Sequence, residues 1–166
     1  CALPISLLIL VPRHPERFNA VAKQANAANL RMVRRSEGST CNGEVQLYLG
    51  DTMGEMLLLY AASDVAFVGG SLVPTGSHNM LEPAALGKPV LFGPHRYNFA
   101  EISQLLIDQK AAQEVADSTV LSQAVVKLLQ NRELRLQQGG QGKAVVEQNR
   151  GALKRMSDKI QTLLAL

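Results

Sequence analysis

The first readable pattern is an unbroken apolar run at residues 6–11 (SLLILV), stopped by Pro12. Such a run predicts a strand buried on both faces, as in a parallel sheet. Pro15 opens a helix, where its missing N–H costs nothing. Phe18, Val21, Ala22 and Ala25 then recur at i, i+3, i+4 and i+7 on one helical face. Residues 30–35 predict a second strand, 36–43 a polar loop, and 45–49 a third strand closed by Gly50 and Asp51. Asp51 or Thr52 caps a helix with Met53, Met56, Leu57, Tyr60 and Ala61 on its apolar side. A fourth strand, 65–68, runs into Gly69-Gly70. A loop and a short helix over 79–86, stopped by Gly87, lead to a fifth strand at 89–92 that ends at Gly93-Pro94. Phe99, Ile102, Leu105 and Leu106 mark another amphipathic helix, and 112–116 is a weak last strand. From Ser118 onward the pattern is helical. Leu121, Val125, Leu128 and Leu129 share one face, and Leu153, Met156, Ile160, Leu163 and Leu164 share another.

Strands alternating with helices predict an α/β fold, a parallel sheet with helices on both faces. Ligands of such sheets bind beyond the carboxyl ends of the strands. Three segments lie at such ends: 12–14, 69–79 and 93–98. The first holds Pro12, Arg13 and His14. A guanidinium there can hold a phosphate or stack on a base; the alternative is solvated loop charge. The second runs GGSLVPTGSHNMLE over 69–82 and includes Gly70, Ser71, His78, Asn79 and Glu82. Its glycines let backbone approach a ligand, and helix-start N–H groups favour an anion. The alternative is a plain βα loop with a Ser or Asn cap. Glu82 suits the hydroxyls of a ribose, or is a surface carboxylate favoured by the helix dipole.

Composition narrows the classes. The chain has 166 residues, fitting one domain, and 46% of them are hydrophobic, which excludes wholesale disorder. Aromatics at 4% and no Trp argue against stacking platforms for sugars or single-stranded nucleic acid. A net charge of +3 suits an anionic ligand or membrane surface without demanding either, and no nucleic-acid partner is expected. Cys1 and Cys41 form no metal spacing or disulfide framework, which fits a reduced, cytosolic setting. The longest aliphatic run, 7–11, falls far short of the roughly 20 residues that span a bilayer. No signal peptide is visible, and the missing initiator Met with its abrupt entry into a strand suggests a piece of something longer. His78 and His95 belong to no HxH or HExxH pattern. GxGxxG is absent. GGQGKA at 139–144 is no P-loop, because position 137 is Gln, the Lys precedes Ala, and no strand leads into it.

Four stretches then become recognisable together: PRHPERF (12–18), GDTMGEM (50–56), FVGGSLVPTGSHNMLEPAALGKPVLFGPH (67–95) and YNF (97–99). They resemble the 3-deoxy-D-manno-octulosonic acid (Kdo) transferases, or lipid A Kdo transferases. The similarity covers essentially the whole chain, in the order of that family's C-terminal half. The resemblance implies the GT-B fold, two Rossmann-like domains facing a cleft. Residues 1–166 would be the C-terminal, donor-binding domain, and the N-terminal domain, outside this chain, would hold the acceptor and a carboxylate base. It implies CMP-Kdo as donor, a lipid A precursor as acceptor, and no metal. It also implies work at an anionic membrane surface, the cytoplasmic face of the bacterial inner membrane, with the chain soluble by itself. By matching motif positions, Arg13 and His14, with Pro12 beside them, lie on the cytidine and phosphate side. Gly70, Ser71 and Asn79, with His78, surround the phosphate, and Glu82 binds the ribose. Two positions depart from the family pattern: Met80 stands where Pro is common, and Ser77 where a second Gly is common. Neither removes a donor group, but Ser77 leaves the loop conformation open. Charge developing on a leaving CMP phosphate suits helix-start amides and Arg13. The acceptor hydroxyl needs a base, and none is evident in this chain. A non-catalytic nucleotide-binding module and a sugar-nucleotide epimerase are the other readings.

Overall fold

A computed structural model describes residues 6–151. The chain falls into two units, Cys1–Ser63 and Asp64–Leu166.

In the first unit β1 (Leu8–Leu10) leads through a 3-10 turn, Pro15–Arg17, into α1 (Phe18–Ala27). β2 (Met32–Arg34), β3 (Leu47–Leu49) and α2 (Met56–Ala62) follow. The strands pair in parallel in the order β1–β3–β2, with Leu8 and Met32 both opposite Leu47. Leu47 and Leu49 of the central strand are buried against Ala22 and Ala25 of α1, so the predicted stripe on α1 is the core-facing one. β1 departs from expectation. It is apolar enough to be buried on both faces, yet Leu8 is 53% exposed, and within the first unit β1 pairs with β3. α2 departs too. It begins at Met56 with Glu55 at its N-cap position, not at Asp51 or Thr52. Met53 and Leu57, expected on the apolar side, are exposed, and Leu59 turns inward over Gly50 instead.

In the second unit β4 (Ala66–Val68), α3 (Leu81–Ala85), β5 (Val90–Phe92), α4 (Ala100–Asp108) and β6 (Ala112–Glu114) precede α5 (Ser118–Gln130) and α6 (Arg132–Asn149). The three strands are parallel in the order β4–β5–β6. Side chains of β5 alternate between two apolar cores. Val90 and Phe92 join Met80, Ala84, Leu106 and Val145, while Leu91 joins Val115, Ala124 and Leu128. Helices therefore cover both faces, the arrangement a fully buried strand such as VLF requires.

The helical text after Ser118 divides at a point the apolar period alone passes over. Asp117 caps α5 by accepting from the Val120 amide at 2.9 Å, and Asn131 caps α6 by accepting from the Leu134 amide at 2.9 Å. Gly139 of α6 lies against the backbone of Gly87, and Gly142 against Ala84, so GGQGKA is a helix-packing surface. The apolar face carrying Leu153, Met156, Ile160, Leu163 and Leu164 lies outside the described residues, as does Cys1. Among the described residues no helix is long and apolar enough to cross a membrane.

Candidate functional site

The carboxyl ends of β4 and β5 are tied by Ser71. Its side chain is fully buried; its hydroxyl donates to the Val68 carbonyl at 2.6 Å and accepts from the Gly93 amide at 2.8 Å. Its own carbonyl accepts from the His95 amide at 2.9 Å. The chain beyond Ser71 returns to close on Gly70, whose carbonyl accepts from the Ser77 amide at 2.9 Å and the Thr75 hydroxyl at 2.8 Å. The half-buried His78 ring lies over Gly70.

Gly76 and Ser77 are consecutive left-handed residues, with φ of 92° and 72°. The serine that stands where glycine is common thus takes the very conformation that glycine favours. The departure alters the energy of the loop, and the left-handed turn is kept. Left-handed backbone costs an L-residue about 1–2 kcal/mol, and the greater freedom of an unfolded glycine offsets roughly 0.5–1 kcal/mol of the relief. Ser77→Gly is therefore expected to raise the unfolding free energy by up to about 1 kcal/mol. A urea midpoint below that of the parent chain would contradict this.

Asn79 organises the entry to α3. Its Oδ1 accepts from the Leu81 amide at 3.0 Å, and its Nδ2 donates to Glu82 Oε1 at 3.1 Å. The Leu81 amide is thereby engaged within the chain. Glu82 is half-buried in the first turn, and a carboxylate with one neutral donor on one oxygen retains capacity for more. Gly70, Ser71, His78, Asn79 and Glu82 thus form one continuous loop and helix start in the second unit.

Pro12, Arg13 and His14 belong to the first unit and follow β1 directly. Pro12 is half-buried, and Arg13 and His14 are exposed. The His14 carbonyl accepts from the Arg17 amide at 3.0 Å, and its ring Nδ1 stands 3.7 Å from Glu16 Oε1.

Three polar networks were not evident in the sequence. At the carboxyl ends of β2 and β3, the buried Asp51 carboxylate accepts from Arg34 Nε at 2.6 Å, the Ser36 amide at 2.9 Å and the Ser36 hydroxyl at 2.7 Å. Burial pushes its pKa up; the Ser36 hydroxyl and amide and then Arg34 outweigh this and hold it below the ordinary value. Asp51 is therefore occupied as an ion-pair partner and does not cap α2. Glu55 accepts from Arg35 through Nε at 3.0 Å and Nη2 at 2.7 Å, and from the Thr52 hydroxyl. Those bonds, Arg35 first, lower the Glu55 pKa to about 2. The available signal was the paired arginines closing β2 and the two acids of GDTMGEM. Beyond β5, Arg96 donates to Glu114 at 2.8 Å, the Ser103 hydroxyl at 2.8 Å, the Ala100 carbonyl at 3.3 Å and Gln104 at 3.1 Å. Its guanidinium lies 6.0 Å from the Phe92 ring centroid. The only signal for this residue was its place at a strand end. Among the described residues no three His, Cys, Asp or Glu side chains cluster to hold a metal ion.

No protein-family model matches the chain. Over 162 residues, 97% of its length, it is 46% identical to the 3-deoxy-D-manno-octulosonic acid transferase of Haemophilus influenzae, and it spans 38% of that protein. The C-terminal CMP-Kdo binding domain of WaaA from Acinetobacter baumannii, a crystal structure, matches with a TM-score of 0.81 at 40% identity. That match covers 84% of this chain and 73% of the WaaA domain. WaaG, a glycosyltransferase involved in lipopolysaccharide biosynthesis, matches with a TM-score of 0.54 over 93% of this chain and 38% of WaaG. At 18% identity that last likeness shows the fold alone.

Proposed function

Because the chain belongs to the 3-deoxy-D-manno-octulosonic acid transferase family, we propose that it is the donor-binding part of a glycosyltransferase that moves Kdo from CMP-Kdo to a lipid A precursor. Its fold is the α/β, Rossmann-like fold of a GT-B glycosyltransferase domain. The observation that carries the reading is the match, at 40% identity, to a WaaA domain described as CMP-Kdo binding.

In this reading residues 1–166 act as one donor domain. Glu82 accepts the ribose hydroxyls. Gly70, Ser71, His78 and Asn79 surround the donor phosphate, Ser71 by its main chain because its hydroxyl already bridges β4 and β5. Pro12, Arg13 and His14 of the first unit serve the cytidine and phosphate side. As the sugar leaves, negative charge grows on the CMP phosphate, and dipoles held in place beforehand stabilise it without reorganising. The Ser71 bridge and the left-handed turn at Gly76-Ser77 supply that prior ordering. The acceptor, the catalytic carboxylate and the contact with the cytoplasmic face of the inner membrane are assigned to the rest of a family-length protein.

Glu82→Gln tests the ribose role. The neutral amide still accepts from Asn79 but loses charge-assisted bonds worth about 1.5–3 kcal/mol each. CMP affinity is expected to fall about 10- to 100-fold, with inorganic phosphate binding and melting temperature little changed. Unaltered CMP affinity in a folded variant would rule the role out.

A further inference from the structure

We infer that Tyr97 and Asn98, at the carboxyl end of β5, are positioning residues for the donor phosphate, acting through Gly76. This rests on the donor-binding reading of residues 70–82.

The root of the segment is fixed. The four hydrogen bonds of Arg96 to Glu114, Ser103, Ala100 and Gln104 anchor it to β6 and α4. From that root, Tyr97 and Asn98 meet the far side of the loop. The Tyr97 hydroxyl donates to the Pro74 carbonyl at 3.1 Å. A Cβ on Gly76 would stand 2.4 Å from Asn98 Nδ2 and 2.6 Å from the Tyr97 ring. A side chain there would have to displace Asn98 and Tyr97, and the φ of 92° independently favours glycine. Tyr97 is 62% exposed, so core burial does not account for its placement. What its ring and hydroxyl do touch is the turn that carries Pro74 and Gly76, and that turn closes on Gly70 through Thr75 and Ser77.

A loop held from both sides arrives at its ligand already ordered. One held only through Ser71 and its internal bonds would have to be ordered on binding, and that cost appears as lost affinity. The loss should concern the phosphate alone, since the brace reaches residues 70–78.

The test compares binding of CMP and of cytidine, by calorimetry or amide shifts, in the chain and in Tyr97→Phe and Gly76→Ala, with a thermal melt of each. Tyr97→Phe keeps the ring and removes one hydrogen bond. CMP should weaken about 3- to 10-fold, with cytidine affinity and melting temperature unchanged. Gly76→Ala should weaken CMP further, again sparing cytidine. Unchanged CMP affinity in both variants, or an equal loss of CMP and cytidine, would overturn the inference while leaving the donor reading in place. A parent chain that binds CMP no more tightly than cytidine would instead overturn the phosphate reading of the loop, and the inference with it.

Discussion

Supplied with CMP-Kdo and a tetraacylated lipid A precursor, the purified 166-residue chain is expected to bind the nucleotide sugar and form no glycosylated product. Transfer requires an acceptor hydroxyl set against the donor carbon and a base within reach of its proton. Three carboxylates near the strand ends, Glu82, Asp51 and Glu55, already have other partners. Glu82 is paired with Asn79 and proposed for the ribose, while Asp51 and Glu55 are held ionised by Arg34 with Ser36 and by Arg35 with Thr52. A carboxylate stabilised in that way, as Glu55 is with a pKa of about 2, is a poor proton acceptor near neutrality. The chain spans 38% of its Haemophilus influenzae relative, and the missing groups are assigned to the remainder. The check is a multiple-turnover assay beside a family-length enzyme. Sustained product from the chain alone would place a catalytic base among these residues.

Gly139→Ala is expected to destabilise the second unit by about 2 kcal/mol or more. In an open helix interior the same change would stabilise by roughly 0.5–1 kcal/mol. Here the new Cβ would fall 1.9 Å from the Gly87 carbonyl oxygen and 2.7 Å from its carbon. Both obstacles are backbone, so no rotamer change relieves the clash, and α6 must move away from the end of α3. For a chain of this size the melting temperature should drop by about 2–4 °C per kcal/mol. Gly142→Ala is the control. Its Cβ would meet Ala84 Cβ at 3.4 Å, a contact that a small shift absorbs. A Gly139→Ala chain that melts above its parent would show that the α3–α6 contact is looser than described.

What was legible in the sequence was local. VLF at 90–92, between Pro89 and Gly93, is a fully buried central strand, and Gly87 stops α3. The segment 69–82 was visible as a candidate because its residues are contiguous. Where a distant partner decides, the local pattern misleads. Asp51 obeys every rule for a helix cap, yet Arg34 and Ser36, fifteen or more residues earlier, claim its carboxylate. β1 has the composition of a strand buried on both faces, and nothing within it records that Leu8 is exposed. Tyr97 and Asn98 meet Gly76 only because β4 and β5 are neighbours in the sheet. GGQGKA fails as a phosphate motif, and its small residues are explained only by the helix that packs on them.

The most direct measurement is a titration of the isotope-labelled chain with CMP, UMP and AMP, followed through backbone amide shifts. The donor-binding account predicts that CMP perturbs the amides of residues 70–82 saturably and at lower concentration than UMP or AMP. Equal shifts of those amides with all three nucleotides, or a response to CMP confined to other residues, would contradict it.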